Sequence, residues 1–152
     1  MGEFFGSIYC WFEDFFGLEL ANYLWGLSSS KTDANAFIGI GMIMLGITLA
    51  IAVLYYYIIN APRLCTWWAW SIFGIVNAVV NFIVGWQWVL TDKNAGKMVT
   101  VDPVTSDTIE LSIGQPEMLA FGVSNMILSL LAFVLISLAI KWWSNNCSHS
   151  PF

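Results

Sequence analysis

Thr66 to Leu90 read TWWAWSIFGIVNAVVNFIVGWQWVL, a run without a single Asp, Glu, Lys or Arg. Trp67, Trp68 and Trp70 stand at one end of it, and Trp86 and Trp88 at the other. A helix rises about 1.5 Å per residue, so the two tryptophan clusters lie roughly 25–30 Å apart, the thickness of a bilayer's hydrocarbon core. Tryptophan favours the membrane–water boundary, where its ring is buried in apolar surroundings and its N–H stays wet. The stretch therefore reads as a transmembrane helix with an aromatic belt at each end.

The remaining composition agrees. Of 152 residues, 59% are hydrophobic and only 10% are charged, against about 45–50% and about 25% in soluble domains. The mean hydropathy is +0.74. Too little polar side chain exists to cover a water-facing shell. The net charge of −5 argues against nucleic acid as a partner, because phosphate binding needs clustered Lys and Arg. A polybasic contact with anionic lipid is disfavoured for the same reason.

Outward from the central helix, two further spans are expected, at residues 36–60 and 117–143, with the central one at 66–90. The first carries the small-residue step Gly46 and Ala50 and ends in Tyr55, Tyr56 and Tyr57. Asn60, Pro62 and Arg63 stop it, since proline cannot continue a helix, and the short connection makes the first two spans an antiparallel hairpin. In the second span Gly74, Asn77, Ala78, Asn81 and Gly85 recur at three- and four-residue steps. In the third, Gly122, Asn125, Ser129 and Ala132 form a similar stripe. Small residues let helix backbones approach, and a membrane-buried amide needs a partner, at about 0.6–2 kcal/mol per interhelical hydrogen bond. These stripes are therefore either packing faces or, if copies form a ring, the lining of a pore. Lys141, Trp142 and Trp143 anchor the last exit, before a polar tail at 144–152.

Residues 1–26 are acidic and rich in phenylalanine. Glu3, Glu13, Asp14 and Glu19 replace the basic start of a secretory signal, so no cleavable leader is expected. At 100° per residue Glu3, Ser7, Cys10, Asp14 and Gly17 fall on one side, and Phe4, Ile8, Trp11, Phe12, Phe15 and Phe16 on the other. This predicts an amphipathic helix in the plane of the interface, with Glu3 and Asp14 turned towards a partner; Glu19 falls off the polar side, and Gly17 is a candidate break. Glu3–Gly6 and Asp14–Gly17 share an acidic-Phe-Phe-Gly pattern eleven residues apart. Three helical turns is close to eleven residues, so the two Phe pairs point the same way. A linker follows at 27–35, where Ser30, Thr32 or Asp33 is expected to cap the first span.

Between the second and third spans, residues 91–117 are polar. Lys97–Val101 and Thr108–Ile113 are alternating or β-branched, with turn residues between, and predict a small β-hairpin outside the membrane. Pro116 and Glu117 suit the first turn of the helix that follows.

Function is less legible. Between their end turns the spans contain no His, Asp, Glu or Lys, so nothing there would ligate haem or relay protons. Cys10, Cys65 and Cys147 are too widely spaced for a zinc site or a disulfide framework. Thr48, Ser71, Ser124, Ser129 and Ser137 lie in the spans with no base to activate them, so no enzyme is expected. No cofactor is expected either, although a bound lipid is compatible with the composition. The fold class is an all-α membrane protein: an N-terminal interfacial helix, three transmembrane helices and a small extramembrane hairpin. Membrane lipid and other membrane-protein chains, in a hetero-complex or a homo-oligomer, are the expected partners. The leading reading is a non-catalytic subunit of a larger membrane complex, and the alternative is a homo-oligomeric channel lined by the second span. All ten acids and three lysines share one side of this topology, and Arg63 and Lys141 the other. The short Arg63 loop and the tail are accordingly placed in the cytoplasm, and the acidic N-terminus and hairpin outside. The sequon at Asn146 would then escape glycosylation.

Overall fold

Three long helices carry the computed structural model, which describes residues 2–27, 35–58, 66–101 and 108–141. In chain order the elements are α1 (Gly2–Tyr9), a 3-10 turn (Cys10–Phe12), α2 (Glu13–Phe16), α3 (Leu18–Trp25), α4 (Ala36–Val53), a π-helical turn (Leu54–Ile58), α5 (Trp67–Asn94), β1 (Val99–Val101), β2 (Thr108–Glu110) and α6 (Gln115–Lys141). The segment Ala36–Tyr57, α5 and α6 are each long and apolar enough to cross a membrane.

Two of the long helices, α4 and α6, begin at side-chain caps. The side chain of Asn35 accepts from the N–H of Phe37 at 3.0 Å and caps α4. The expected caps Ser30, Thr32 and Asp33 lie outside the described residues. An Asn closer to the apolar run does the same work, satisfying one of the four unpaired N–H groups of a first turn. At α6 the carboxylate of Glu117 reaches back to the N–H of Gly114 at 2.7 Å. That is the return half of a capping box, and it also sets negative charge at the positive helix end. α5 runs one turn beyond Leu90 to Asn94, with Lys93 in its last turn. The Lys93 ammonium is held by the carbonyl of Ile113, so the end of α5 is tied to the approach to α6.

Between those helices β1 and β2 pair antiparallel, with Val99 opposite Glu110 and Thr100 opposite Ile109. The N–H of Leu111 adds a bond to the carbonyl of Met98 at 3.0 Å. The regular strands are shorter than the alternating sequence predicted. An isolated two-stranded ribbon is marginal in water, and this one is anchored where Met98 and Ile113 enter the main core.

The N-terminal segment differs most from expectation. Residues 1–26 are not one helix: helical structure runs from Gly2 to Phe16, breaks at Gly17, the candidate break, and resumes as α3. Gly17 has φ +95, a conformation that side chains disfavour. α3 ends in a Schellman cap, with Gly26 donating to Tyr23 and Leu27 to Asn22, each at 3.0 Å. The aromatic residues do not share one face. Phe5, Tyr9 and Phe16 point into the bundle and are buried, whereas Phe4, Trp11 and Phe15 point outward, Trp11 with 80% of its surface exposed. The eleven-residue echo is visible here: Phe5 and Phe16 face in together, and Phe4 and Phe15 face out together.

The main core sits at the end of the bundle that carries the N-terminal helices and the ribbon. Phe5, Tyr9, Phe16, Leu20 and Leu24 meet Phe37, Ile40 and Met44 of α4, Val89 of α5, and Met118 and Phe121 of α6. The Tyr9 ring stacks on Phe37 with centroids 5.1 Å apart, and Phe16 meets Phe121 edge-on at 5.3 Å. Such pairs are worth about 0.5–1.5 kcal/mol beyond their buried area. A smaller cluster of Tyr55, Tyr56 and Ala69, packed with Trp70, Phe73 and Ile140, closes the other end.

Candidate functional site

Two long helices of opposite direction bury their polar side chains only if those side chains meet in register. α5 and α6 do so. Trp70 lies against Ser137, Gly74 against Phe133, Asn77 against Ser129 and Asn81 against Asn125. Each step along α5 is matched by a nearly equal step back along α6, as antiparallel packing of three- and four-residue repeats requires.

The polar side chains form a ladder. Asn77 Nδ2 donates to the carbonyl of Ser129 at 3.1 Å, and Asn125 Nδ2 donates to the carbonyl of Asn81 at 2.7 Å. Each helix thus sends an amide to the other's backbone. Asn81 Nδ2 links the two rungs, donating to Asn77 O at 3.0 Å and to Asn77 Oδ1 at 3.1 Å. The top rung comes from the N-terminus: the Tyr9 hydroxyl donates to Asn125 Oδ1 at 2.6 Å. Asn77, Asn81, Asn125 and Ser129 all have 0% exposure. Oδ1 of Asn81 is buried without a hydrogen-bond partner, as is Nε1 of Trp86. Burial raises the Tyr9 phenol well above its ordinary pKa, because a phenolate in this setting would lose its hydration. The Cys10 thiol is also raised, first by burial and then by the neighbouring Glu13 charge and its hydrogen bond.

The glycines of these stripes serve close approach. A Cβ on Gly85 would stand 3.0 Å from Cβ of Asn125, and one on Gly122 would stand 3.0 Å from the Phe82 ring and 3.2 Å from the Phe82 carbonyl oxygen. Ala78 is buried beside them. Gly46 and Ala50 stand elsewhere. Both are exposed on the outer face of α4, and a Cβ on Gly46 would meet nothing within 4 Å. They take no part in packing within the chain.

The tryptophans divide in the same way. Trp67 and Trp68 are exposed and lie edge-on to each other, their centroids 5.0 Å apart. Trp70 is instead a bundle residue, its Nε1 donating to Ser137 Oγ at 3.2 Å. Trp88 packs over Gly39 of α4, and Trp86 stacks on Phe82. Trp142 and Trp143 lie outside the described residues, as does the side chain of Glu3; Asp14 is exposed.

Tyr9 is the residue that sequence reading missed. It was the hydroxyl-bearing ring in a segment of phenylalanines, and Asn125 was a buried acceptor in want of a donor. Nothing in one sequence joins two positions so far apart. Among the described residues no three His, Cys, Asp or Glu side chains gather closely enough to hold a metal ion. No known protein family, curated protein or solved structure matches the chain.

Proposed function

We propose that the protein is a non-catalytic integral membrane subunit that helps build a larger membrane complex. The observation that carries this reading is the outer face of α4. Met42, Ile43, Leu49 and Val53 are exposed there, with Gly46 and Ala50 between them and open space over Gly46. The outward faces of the other two spans are branched and bulky: Ile72, Ile75, Val76, Val79 and Ile83 on α5, and Leu131, Val134, Leu135 and Leu138 on α6. Lipid tails solvate any apolar face, so helices associate in a bilayer where small residues allow close backbone contact. α4 offers such a place and the protomer leaves it uncovered.

A pore lined by α5 is the weaker reading. It needs Asn77 and Asn81 turned to a water path, and both are enclosed between α5 and α6. In the favoured reading the N-terminal helices lie at the level of the interface, with Asp14 exposed. They and the acidic ribbon occupy the non-cytoplasmic side, with the end of α6 on the cytoplasmic side.

The test is the mass of the particle extracted in mild detergent, with its subunits identified. Other chains at fixed stoichiometry are expected, and they should be lost on Gly46→Leu. A homo-oligomer of several copies that conducts ions in liposomes would replace this reading with the pore.

A further inference from the structure

We infer that the groove between α2 and the first turns of α6 holds a phospholipid whose headgroup ends in a primary ammonium. The groove has a volume of about 620 Å³. Asp14 and Glu117 line it together with Phe15, Leu119, Ala120 and Val123. It is therefore acidic at the start of α6 and apolar along the helix beyond. That two-part chemistry matches a lipid better than a basic side chain, which would satisfy the acids and leave the apolar wall bare.

The carboxylates are available to such a head. One oxygen of Glu117 is held by the N–H of Gly114, while the other, Oε1, lies beside Gly17, 3.4 Å from where a Cβ would stand, an ordinary contact distance. The described lysines are engaged elsewhere: Lys93 with the Ile113 carbonyl and Lys97 with Asp92 at 2.8 Å, while Lys141 ends α6 at its far end. The position also suits a lipid, since a span begins at Gln115 and headgroups lie where spans begin. An ethanolamine ammonium has three donors to share between two carboxylates. A choline head has the charge without the donors, and a glycerol head has hydroxyl donors without the charge.

This inference rests on the membrane placement of α6 and not on the subunit reading. Its test is native mass spectrometry of the full chain in mild detergent, with phosphatidylethanolamine, phosphatidylcholine and phosphatidylglycerol of matched chains added in equal amounts. Phosphatidylethanolamine should be retained about ten-fold over phosphatidylglycerol, the effect of one charge-assisted hydrogen bond, with phosphatidylcholine between. Asp14→Asn combined with Glu117→Gln should abolish that preference, while the glutamine still accepts from Gly114 and preserves the start of α6. Val123→Trp, at the apolar end of the groove and six residues beyond Glu117, should lower retention of all three. Equal retention of the three lipids by the unaltered protein overturns the inference, as does a preference that survives the double substitution. Release of a co-purified protein chain by Asp14→Asn, with lipid retention unchanged, overturns it too and makes Asp14 a protein contact.

Discussion

The hydroxyl of Tyr9 and the amide oxygen of Asn125 are joined by a 2.6 Å hydrogen bond across a separation of 116 residues. The bond couples the N-terminal helices to the polar seam between α5 and α6, because Asn125 passes the connection on to the backbone of Asn81. Around it, Tyr9 packs on Phe37 and Phe121. One residue thus unites a polar tie and an apolar anchor.

Tyr9→Phe keeps the ring and removes the donor. Asn125 Oδ1 is then buried without a partner, which costs about 1–3 kcal/mol. The loss should appear locally, since the apolar contacts of Phe5, Phe16 and Leu20 remain. Faster amide hydrogen exchange over residues 2–16 is expected, with little change in the middle of α5 and α6. Unchanged exchange in the N-terminal helices would show that packing alone holds them.

The same tyrosine sets an alkaline limit. Its folded pKa is raised by burial, so above about pH 10 the unfolded chain releases the phenol proton while the folded protein keeps it. The folded state then binds more protons, and stability falls as pH rises, by up to about 1.4 kcal/mol per pH unit. The contribution is fully present below about pH 10 and is lost progressively above it. Unfolding in detergent between pH 9 and pH 12 should therefore show a steeper decline for the unaltered protein than for Tyr9→Phe. Parallel curves would assign the alkaline loss to other groups.

Asn77 and Asn81 act on each other as well as on α6, so their substitutions should not add. Asn81→Leu strands Asn77 Oδ1, and Asn77→Leu removes one of two acceptors of Asn81 Nδ2. Each single change is expected to cost about 0.6–2 kcal/mol. Once both are leucine no orphaned amide remains, and Asn81 Oδ1, unpartnered already, is removed as well. A double-mutant cycle by reversible unfolding in detergent should return a total below the sum of the singles. An additive result would mean that the rungs are independent.

The long helices were legible because their signals are local. Tryptophan spacing, absence of charge and glycine–asparagine repeats all lie within one turn or one span, and the same repeats marked the face along which α5 meets α6. The N-terminus was harder to read for a physical reason. A Phe-rich helix with seven large rings has more apolar surface than one face can hold, and only the position of α4 and α6 decides which rings turn inward. Phe5 was placed by Gly41, where a Cβ would collide with its ring, and no periodicity within residues 1–26 contains that fact. The outer face of α4 shows what spacing leaves open, namely which neighbour a packing step serves. Gly46 and Ala50 have the spacing of a packing step, yet the protomer uses the seam between α5 and α6 and leaves them outside.

Glycine substitutions separate those two kinds of surface. Gly122→Ala forces a methyl to 3.2 Å from the Phe82 carbonyl oxygen, a backbone atom that moves only if α5 moves. Gly85→Ala presses on Asn125 at 3.0 Å and disturbs its bond to Tyr9 as well. Both should destabilise the protomer by about 1–3 kcal/mol, the usual cost of overpacking. Gly46→Ala meets no atom and improves helix propensity, so unfolding of the isolated protomer should be unchanged or slightly delayed. Its effect is expected in the assembly instead, where an added methyl holds an approaching backbone away. If Gly46→Ala and Gly46→Leu leave both the protomer and the extracted complex unaltered, the outer face of α4 is lipid-facing, and the partner surface must lie on another element.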